Sequence, residues 1–209
     1  PVEVDIPDFV AMVKAGDLIG ASWKIKEKNS LPRIAGRVCP QESQCESKCV
    51  VGAKGKNEPC AIGRLERYVA DYAAIHGDGK LPELPKPTGL KVGIGGSGPA
   101  GLTMAGALIK KGVAVTVFEA LHELGGVLVY GIPEFRLPKA IVRAEVEELR
   151  RMGVECKTNW VIGSIETVED LLEKRKFDGV FIGSGAGAPL FLRIPGENLN
   201  GVYSANEFL

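Results

Sequence analysis

Apolar positions along this chain follow two rhythms, and the change comes near residue 85. In the first stretch they recur at helical spacing. Phe9, Val10 and Val13 follow Asp5-Ile6-Pro7, where Asp5 suits an N-cap and Pro7 the first turn, and Leu18 carries the spacing on. Residues 17–29 predict a second short helix, with Trp23 and Ile25 on its apolar part. The clearest helix spans 61–75, where Ile62, Leu65, Tyr68, Val69 and Tyr72 share one face. Residues 30–60, rich in Pro, Gly, Cys and polar side chains, predict a loop with too few apolar groups to fold without an organising centre.

The proline-rich stretch LPELPKPTG predicts a linker between a domain at 1–85 and another at 88–209. Beyond it, short apolar runs alternate with amphipathic ones. Strands are predicted at 91–95, 113–118, 154–157 and 179–183, and helices at 100–111, 139–152 and 165–174, with Gly112 and Gly153 as helix terminators. The near-continuous apolar character of 113–118 fits a strand covered on both faces. This alternation predicts an α/β fold with a parallel sheet, preceded by a small α-helical domain.

Composition then narrows the classes. Lys plus Arg and Asp plus Glu are both 26 in 209 residues, a balance that argues against nucleic acid or an anionic membrane as partner. No run reaches the ~18 apolar residues of a spanning helix, and the N-terminus does not read as a signal peptide, so the expectation is a soluble cytoplasmic protein. Five cysteines are an odd number, which argues against a disulfide framework. Three of them, Cys39, Cys45 and Cys49, cluster tightly and point to metal. Cys60 has no partner pattern, Cys156 reads as a strand hydrophobe, and His76 and His122 are isolated; none of these is assigned a role.

Gly96-Ser97-Gly98-Pro99-Ala100-Gly101 falls between a predicted strand and a predicted helix. Gly96 permits the turn, Gly98 lets backbone approach a pyrophosphate, and Gly101 lets helix and strand pack closely. The helix N-terminus adds free amides for phosphate. Glu119, at the end of the next strand, can accept from both ribose hydroxyls, which disfavours a 2′-phosphate. Pro99-Ala100, and the spacing from Glu119 to Gly125-Gly126, tilt the choice from NAD to FAD. The pattern Cys39-x5-Cys45-x3-Cys49 lacks the CxxC pairs of structural zinc. Cys39-Pro40 fits the looser spacing of iron–sulfur ligands.

KVGIGGSGPAGL, FEALHELGGVLVYGIPEFRLPK and DGVFIGSGAGAPLFLRIPGENLNGVYSANEFL together resemble one flavoprotein family. It includes glutamate synthase small subunits, the large subunit of NADH-dependent ferredoxin:NADP oxidoreductase, and the flavin part of dihydropyrimidine dehydrogenase. The resemblance covers almost all of the chain; Gly95 departs from it, where a bulky strand residue is usual. It implies a Rossmann-like FAD-binding sheet preceded by an α-helical iron–sulfur domain. Gly96, Ser97, Gly98, Pro99, Ala100 and Gly101 would hold the pyrophosphate and Glu119 the adenosine ribose. Gly126 and Val127 would line the flavin side, Arg136 would contact FAD, and the Ile162 backbone would meet adenine. Gly183, Ser184 and Gly185 would lie over the dinucleotide.

RVCPQESQCESKCV likewise resembles the family's N-terminal domain, where two groups of cysteines hold two four-iron clusters. The resemblance implies that Cys39 and Cys45 ligate one [4Fe-4S] cluster, with Glu66 in the place of a non-cysteine fourth ligand, while Cys49 completes the other. The family's first cysteine group precedes the segment VEVDIP, so Pro1 is expected to fall just after it and each cluster to lack ligands in this piece.

The implied function is an electron-transfer subunit. NADPH or NADH, bound by a domain absent from this chain, would reduce FAD, and electrons would leave singly through the clusters to a second redox subunit. That partner would be a glutamate synthase large subunit or, in an electron-bifurcating assembly, the small subunit of ferredoxin:NADP oxidoreductase. The fragment alone is expected to be inactive. Two other readings compete: a thioredoxin-reductase-like disulfide enzyme, which needs a CxxC that is absent, and a cofactor-free interaction module, against which the ligand-type cysteines and Glu119 stand.

Overall fold

Acidic caps start the first two helices. In the computed structural model, which describes residues 3–52 and 58–208, Asp5 accepts from the Asp8 N–H at 3.2 Å and Asp17 from that of Gly20 at 2.8 Å. These bonds open α1 (Ile6–Ala15) and α2 (Leu18–Lys26), and Gly16, at φ +83°, stops the first. Pro1, Val2 and residues 53–57 of the expected loop lie outside the described residues.

The next helix, α3 (Pro32–Val38), falls inside the stretch expected to be a loop. Pro32 is pre-set for the first helical turn, and Leu31 and Ile34 become buried against partners far along the chain. Among the described residues that follow, up to Ile62, two single 3-10 turns form, at Gln41–Ser43 and Glu46–Lys48, neither with a buried residue. α4 (Ile62–His76) packs on α1, α2 and α3. Phe9, Ala21, Ile25, Ile62 and Val69 form the core of this half; each large side chain buried there contributes about 2 kcal/mol. Tyr68, expected on the buried face, is 53% exposed and tilts against Tyr72 instead. Arg37 clamps Asp71 at 2.6 and 3.0 Å, tying α3 to α4.

Beyond the linker lies a four-stranded sheet, every pair parallel: β1 (Lys91–Gly95), β2 (Ala114–Phe118), β3 (Glu155–Lys157) and β4 (Gly179–Ile182) in the order β3-β2-β1-β4. α5 (Pro99–Ile109) connects β1 to β2. α6 (Val127–Tyr130) and α7 (Lys139–Arg151) lie between β2 and β3, and α8 (Val168–Glu173) between β3 and β4. The four-residue α6 follows Gly126 and is too short to leave a periodic signal. α8 starts three residues later than expected because Thr167 and Asp170 form a capping box. A short α9 (Ala205–Phe208) comes last. Among the described residues no helix is long and apolar enough to cross a membrane.

The halves share one core. Leu31 and Ile34 sit in the same cluster as Ile94 of β1, Leu102 and Ala105 of α5, and Val142 and Val146 of α7. Lys26 meets both Glu148 oxygens at 2.7 Å, Lys110 donates to the Lys26 carbonyl, and Arg151 to that of Gly79. A cavity of about 350 Å³ lies along this seam, lined in part by Lys26, Arg33, Glu145 and Arg151. Glu145 is 3% exposed and its Oε2 has no hydrogen-bond partner. Burial pushes its carboxyl up to about 7, beyond what the nearby Lys26 charge offsets.

Candidate functional site

At the carboxyl end of β1 the backbone turns sharply at Gly96, φ +98°. A Cβ there would lie 2.4 Å from the Gly183 carbonyl oxygen, and one at Gly101 would lie 1.9 Å from that of Gly96. No side chain larger than hydrogen fits either place. At Gly98, by contrast, a Cβ would meet nothing within 4 Å. The first two glycines close the turn; the third leaves an open mouth. α5 begins there with no side-chain cap, so first-turn amides lack an intrahelical partner and are available to an anion.

Ser97 and Glu119 brace the mouth from below. Ser97 is fully buried and Glu119 is 6% exposed. The Ser97 N–H donates to Glu119 Oε2 at 2.9 Å, and its hydroxyl makes a second, shorter bond to the same oxygen. Leu121 N–H donates to Oε1 at 2.9 Å, and Gly125 N–H donates to Ser97 Oγ at 2.9 Å. Oε1 therefore keeps one lone-pair direction free. Gly125 was not among the expected site residues, yet it closes this network. Its signal was the paired glycines at 125 and 126.

The other expected residues divide. A Cβ on Gly126 would sit 3.0 Å from the Gly98 Cα, so the two glycines face each other across the mouth, with Val127 55% exposed beside them. Gly183 donates to the Gly95 carbonyl at 2.7 Å, and Ser184 and Gly185 continue from it as exposed backbone. Pro99 and Ala100 are exposed in the first turn of α5. Arg136 is exposed in the turn before α7. The Ile162 side chain packs with Phe118, Leu171 and Phe177 and lies 3.0 Å from where a Gly95 Cβ would be. That contact explains why a glycine ends β1: a bulky residue would displace Ile162.

The cysteines sort into two groups. Cys39, at the end of α3, lies near Cys45 and Glu66, and burial followed by those two charges pushes its thiol up. Burial also raises Cys45, which likewise feels Glu66. Glu66, on α4, accepts from Asn29 Nδ2 at 2.7 Å; burial carries its carboxyl up to about 7 against that bond. Asn29 carried no signal in the sequence. Cys49 stands apart with Cys60, whose N–H donates to Cys49 Sγ at 3.4 Å. That bond, with N–H groups of Val51 and Gly52, holds the Cys49 thiol below its ordinary range. Among the described residues no three His, Cys, Asp or Glu side chains are close enough to hold a metal ion. Cys39 and Cys45 are nevertheless soft thiol donors of the kind that suits iron–sulfur ligation, and both feel the Glu66 carboxylate. Cys156 is half-buried against the sheet core, and His122 meets the Tyr130 hydroxyl at 3.2 Å.

Residues 1–78 match the domain family described as dihydropyrimidine dehydrogenase domain II, 4Fe-4S cluster. Residues 94–133 match the NAD(P)-binding Rossmann-like domain. The chain is 36% identical to the glutamate synthase [NADPH] small chain of Escherichia coli K12, over 100% of this chain and 43% of that protein. It is 37% identical to the NAD-dependent dihydropyrimidine dehydrogenase subunit PreT of the same organism, over 91% of this chain and 46% of that one. The chain thus spans less than half the length of these curated relatives. Among solved structures, FprA of Mycobacterium tuberculosis in complex with NADPH superposes with a TM-score of 0.51 at 26% identity, covering 59% of this chain and 28% of FprA. The chain is thus similar to part of the glutamate synthase small chains, and its two halves match a 4Fe-4S domain of the dihydropyrimidine dehydrogenase type and a Rossmann-like nucleotide-binding domain in turn.

Proposed function

We propose that this chain is the cluster- and flavin-carrying part of a cytoplasmic electron-transfer oxidoreductase. In this reading reducing equivalents from NAD(P)H enter through FAD and leave through [4Fe-4S] clusters to a second redox subunit. One observation carries it. Leu31 and Ile34, flanking and within the helix that ends at Cys39, pack in the same core as β1, which ends at the glycine mouth. A shared rigid core fixes the separation between the two candidate centres, which electron transfer requires.

FAD, when bound, supplies the conversion between two-electron and one-electron chemistry that side chains cannot perform. The protein's part is placement. Gly96 and Gly101 close the turn, Gly98 would leave room for a pyrophosphate, and the first-turn amides of the helix begun by Pro99, those of Ala100 and Gly101 among them, would be available to it. Ser97 fixes the Glu119 carboxylate, whose spare Oε1 direction would be the one to accept from the adenosine ribose. Gly126 and Val127 border the flavin side, with exposed Arg136 free to swing onto the dinucleotide. Gly183, Ser184 and Gly185 would lie over the dinucleotide, and the Ile162 backbone would meet adenine. Cys39, Cys45 and Glu66 would supply three ligands of one cluster and Cys49 a ligand of the other, a division that parallels the two groups of thiols. The relatives are named as a small chain and a subunit, which supports a redox partner. Glutamate synthase chemistry fits those names better than ferredoxin chemistry.

Flavin and iron analysis of the complete subunit, purified without air, tests the proposal. Bound FAD and iron are expected together, with Glu119→Ala lowering flavin and Cys45→Ser lowering iron. A subunit that holds neither would end the reading.

A further inference from the structure

Cys60 has no part in the scheme above, yet the fold sets it against Cys49. Its N–H reaches Cys49 Sγ at 3.4 Å across 11 positions of sequence. Both cysteines are free thiols and only half-buried. Cys39 and Cys45 keep company with Glu66 instead. Among the described residues the apolar neighbours of Cys49 turn outward, Val50 81% and Val51 49% exposed, and Cys49 itself is only half-buried, which leaves a small oxidant access. A sulfur touching the backbone nitrogen of another cysteine is within the separation that side-chain rotation bridges.

We propose that Cys49 and Cys60 form an oxidation-sensitive pair that closes to a disulfide under a hydroperoxide whenever Cys49 is not holding iron. Only the last clause rests on the cluster reading. The Cys49 thiolate attacks the peroxide O–O bond; one oxygen stays on sulfur as a sulfenic acid, and the other leaves as hydroxide or alkoxide and takes up a proton. The Cys60 sulfur then attacks the Cys49 sulfur. The S–S bond forms, the S–O bond breaks, and the oxygen departs as water with the Cys60 proton. Two thiols lose one electron each and one peroxide is reduced. The closed pair keeps Cys49 from irreversible sulfinic acid and blocks cluster assembly until a thiol reductant reopens it.

The test uses the chain stripped of iron with a chelator, reduced, and then exposed to hydrogen peroxide. Non-reducing peptide mass spectrometry should find the Cys49 and Cys60 peptides joined, two hydrogens lighter than their sum, and separated again by dithiothreitol. In Cys60→Ser the same dose should leave Cys49 as a sulfenic acid that dimedone traps. Cys49 joined to Cys39 or Cys45, or oxidised while Cys60 stays a thiol, would overturn the proposal. Anaerobic iron loading keeps the two ideas apart. Cys49→Ser loading as much iron as the parent would sink the ligand reading and leave the cross-link result standing. Cys60→Ser should load iron normally; if it loses iron as Cys49→Ser does, Cys60 is itself a ligand and the pair proposal falls.

Discussion

The glycine mouth and the cysteine loop are two candidate sites built in opposite ways. At the mouth, backbone and buried side chains already satisfy one another: Ser97, Glu119, Leu121 and Gly125 form a closed network, and the close contacts of Gly96 and Gly101 leave no slack. In the loop, the two 3-10 turns bury nothing. Ser43 and Ser47 hydroxyls serve as local staples on exposed carbonyls. The mouth is shaped by the fold before any ligand arrives. The loop is tethered to α3 through Gln41 and to α4 through Glu46, but its own turns bury no residue, so a metal would contribute order as well as chemistry.

The sharpest way to break that contrast is Gly101→Val. Its Cβ would lie 1.9 Å from a carbonyl oxygen, and the helix would have to leave the strand. A loss of about 3 kcal/mol or more is expected, read as a large fall in urea midpoint; an unchanged midpoint would mean the mouth is not rigid.

The seam between the regions gives a pH-dependent effect of similar size. The Glu145 carboxyl is raised from 4.5 to about 7 in the folded protein. Folded and unfolded chains both keep its proton below 4.5. Between 4.5 and 7 the unfolded chain releases it first, so stability falls as pH rises, by on the order of 3 kcal/mol in all. Glu145→Gln should flatten this fall and exceed the parent above pH 7 in urea titrations. Parallel pH curves for the two proteins would show that Glu145 is not the cause.

A smaller effect is expected from Glu119→Ala, which orphans the Ser97 and Leu121 donors. About 2 kcal/mol of stability should be lost, visible as a lower melting temperature even without cofactor. Smallest of all, Cys39→Ser and Cys45→Ser should change the stability of the iron-free chain by no more than about 0.5 kcal/mol while reducing iron uptake strongly. A large destabilisation without iron would show that the loop is structured like the mouth.

Much of this was legible in the sequence, for local reasons. Asp5 and Pro7 act within a turn of themselves, and the β1–α5 glycines report a turn through their spacing between a strand and a helix. What escaped depends on distant partners. α3 forms because Leu31 and Ile34 meet Ile94 and the helices beyond it, a burial that no window around residue 32 contains. Tyr68 has helical spacing but tilts against Tyr72 on its own helix and stays 53% exposed. Cys60 looked solitary because its neighbour lies 11 positions away, and Asn29 serves Glu66 across 37.

The most direct measurement of the central claim is the fluorescence lifetime of FAD bound to the anaerobically prepared subunit, with and without iron. If the shared core holds the two centres within electron-transfer reach, iron loading shortens the flavin lifetime in the parent and much less in Cys39→Ser. A lifetime indifferent to iron in both proteins would contradict the account.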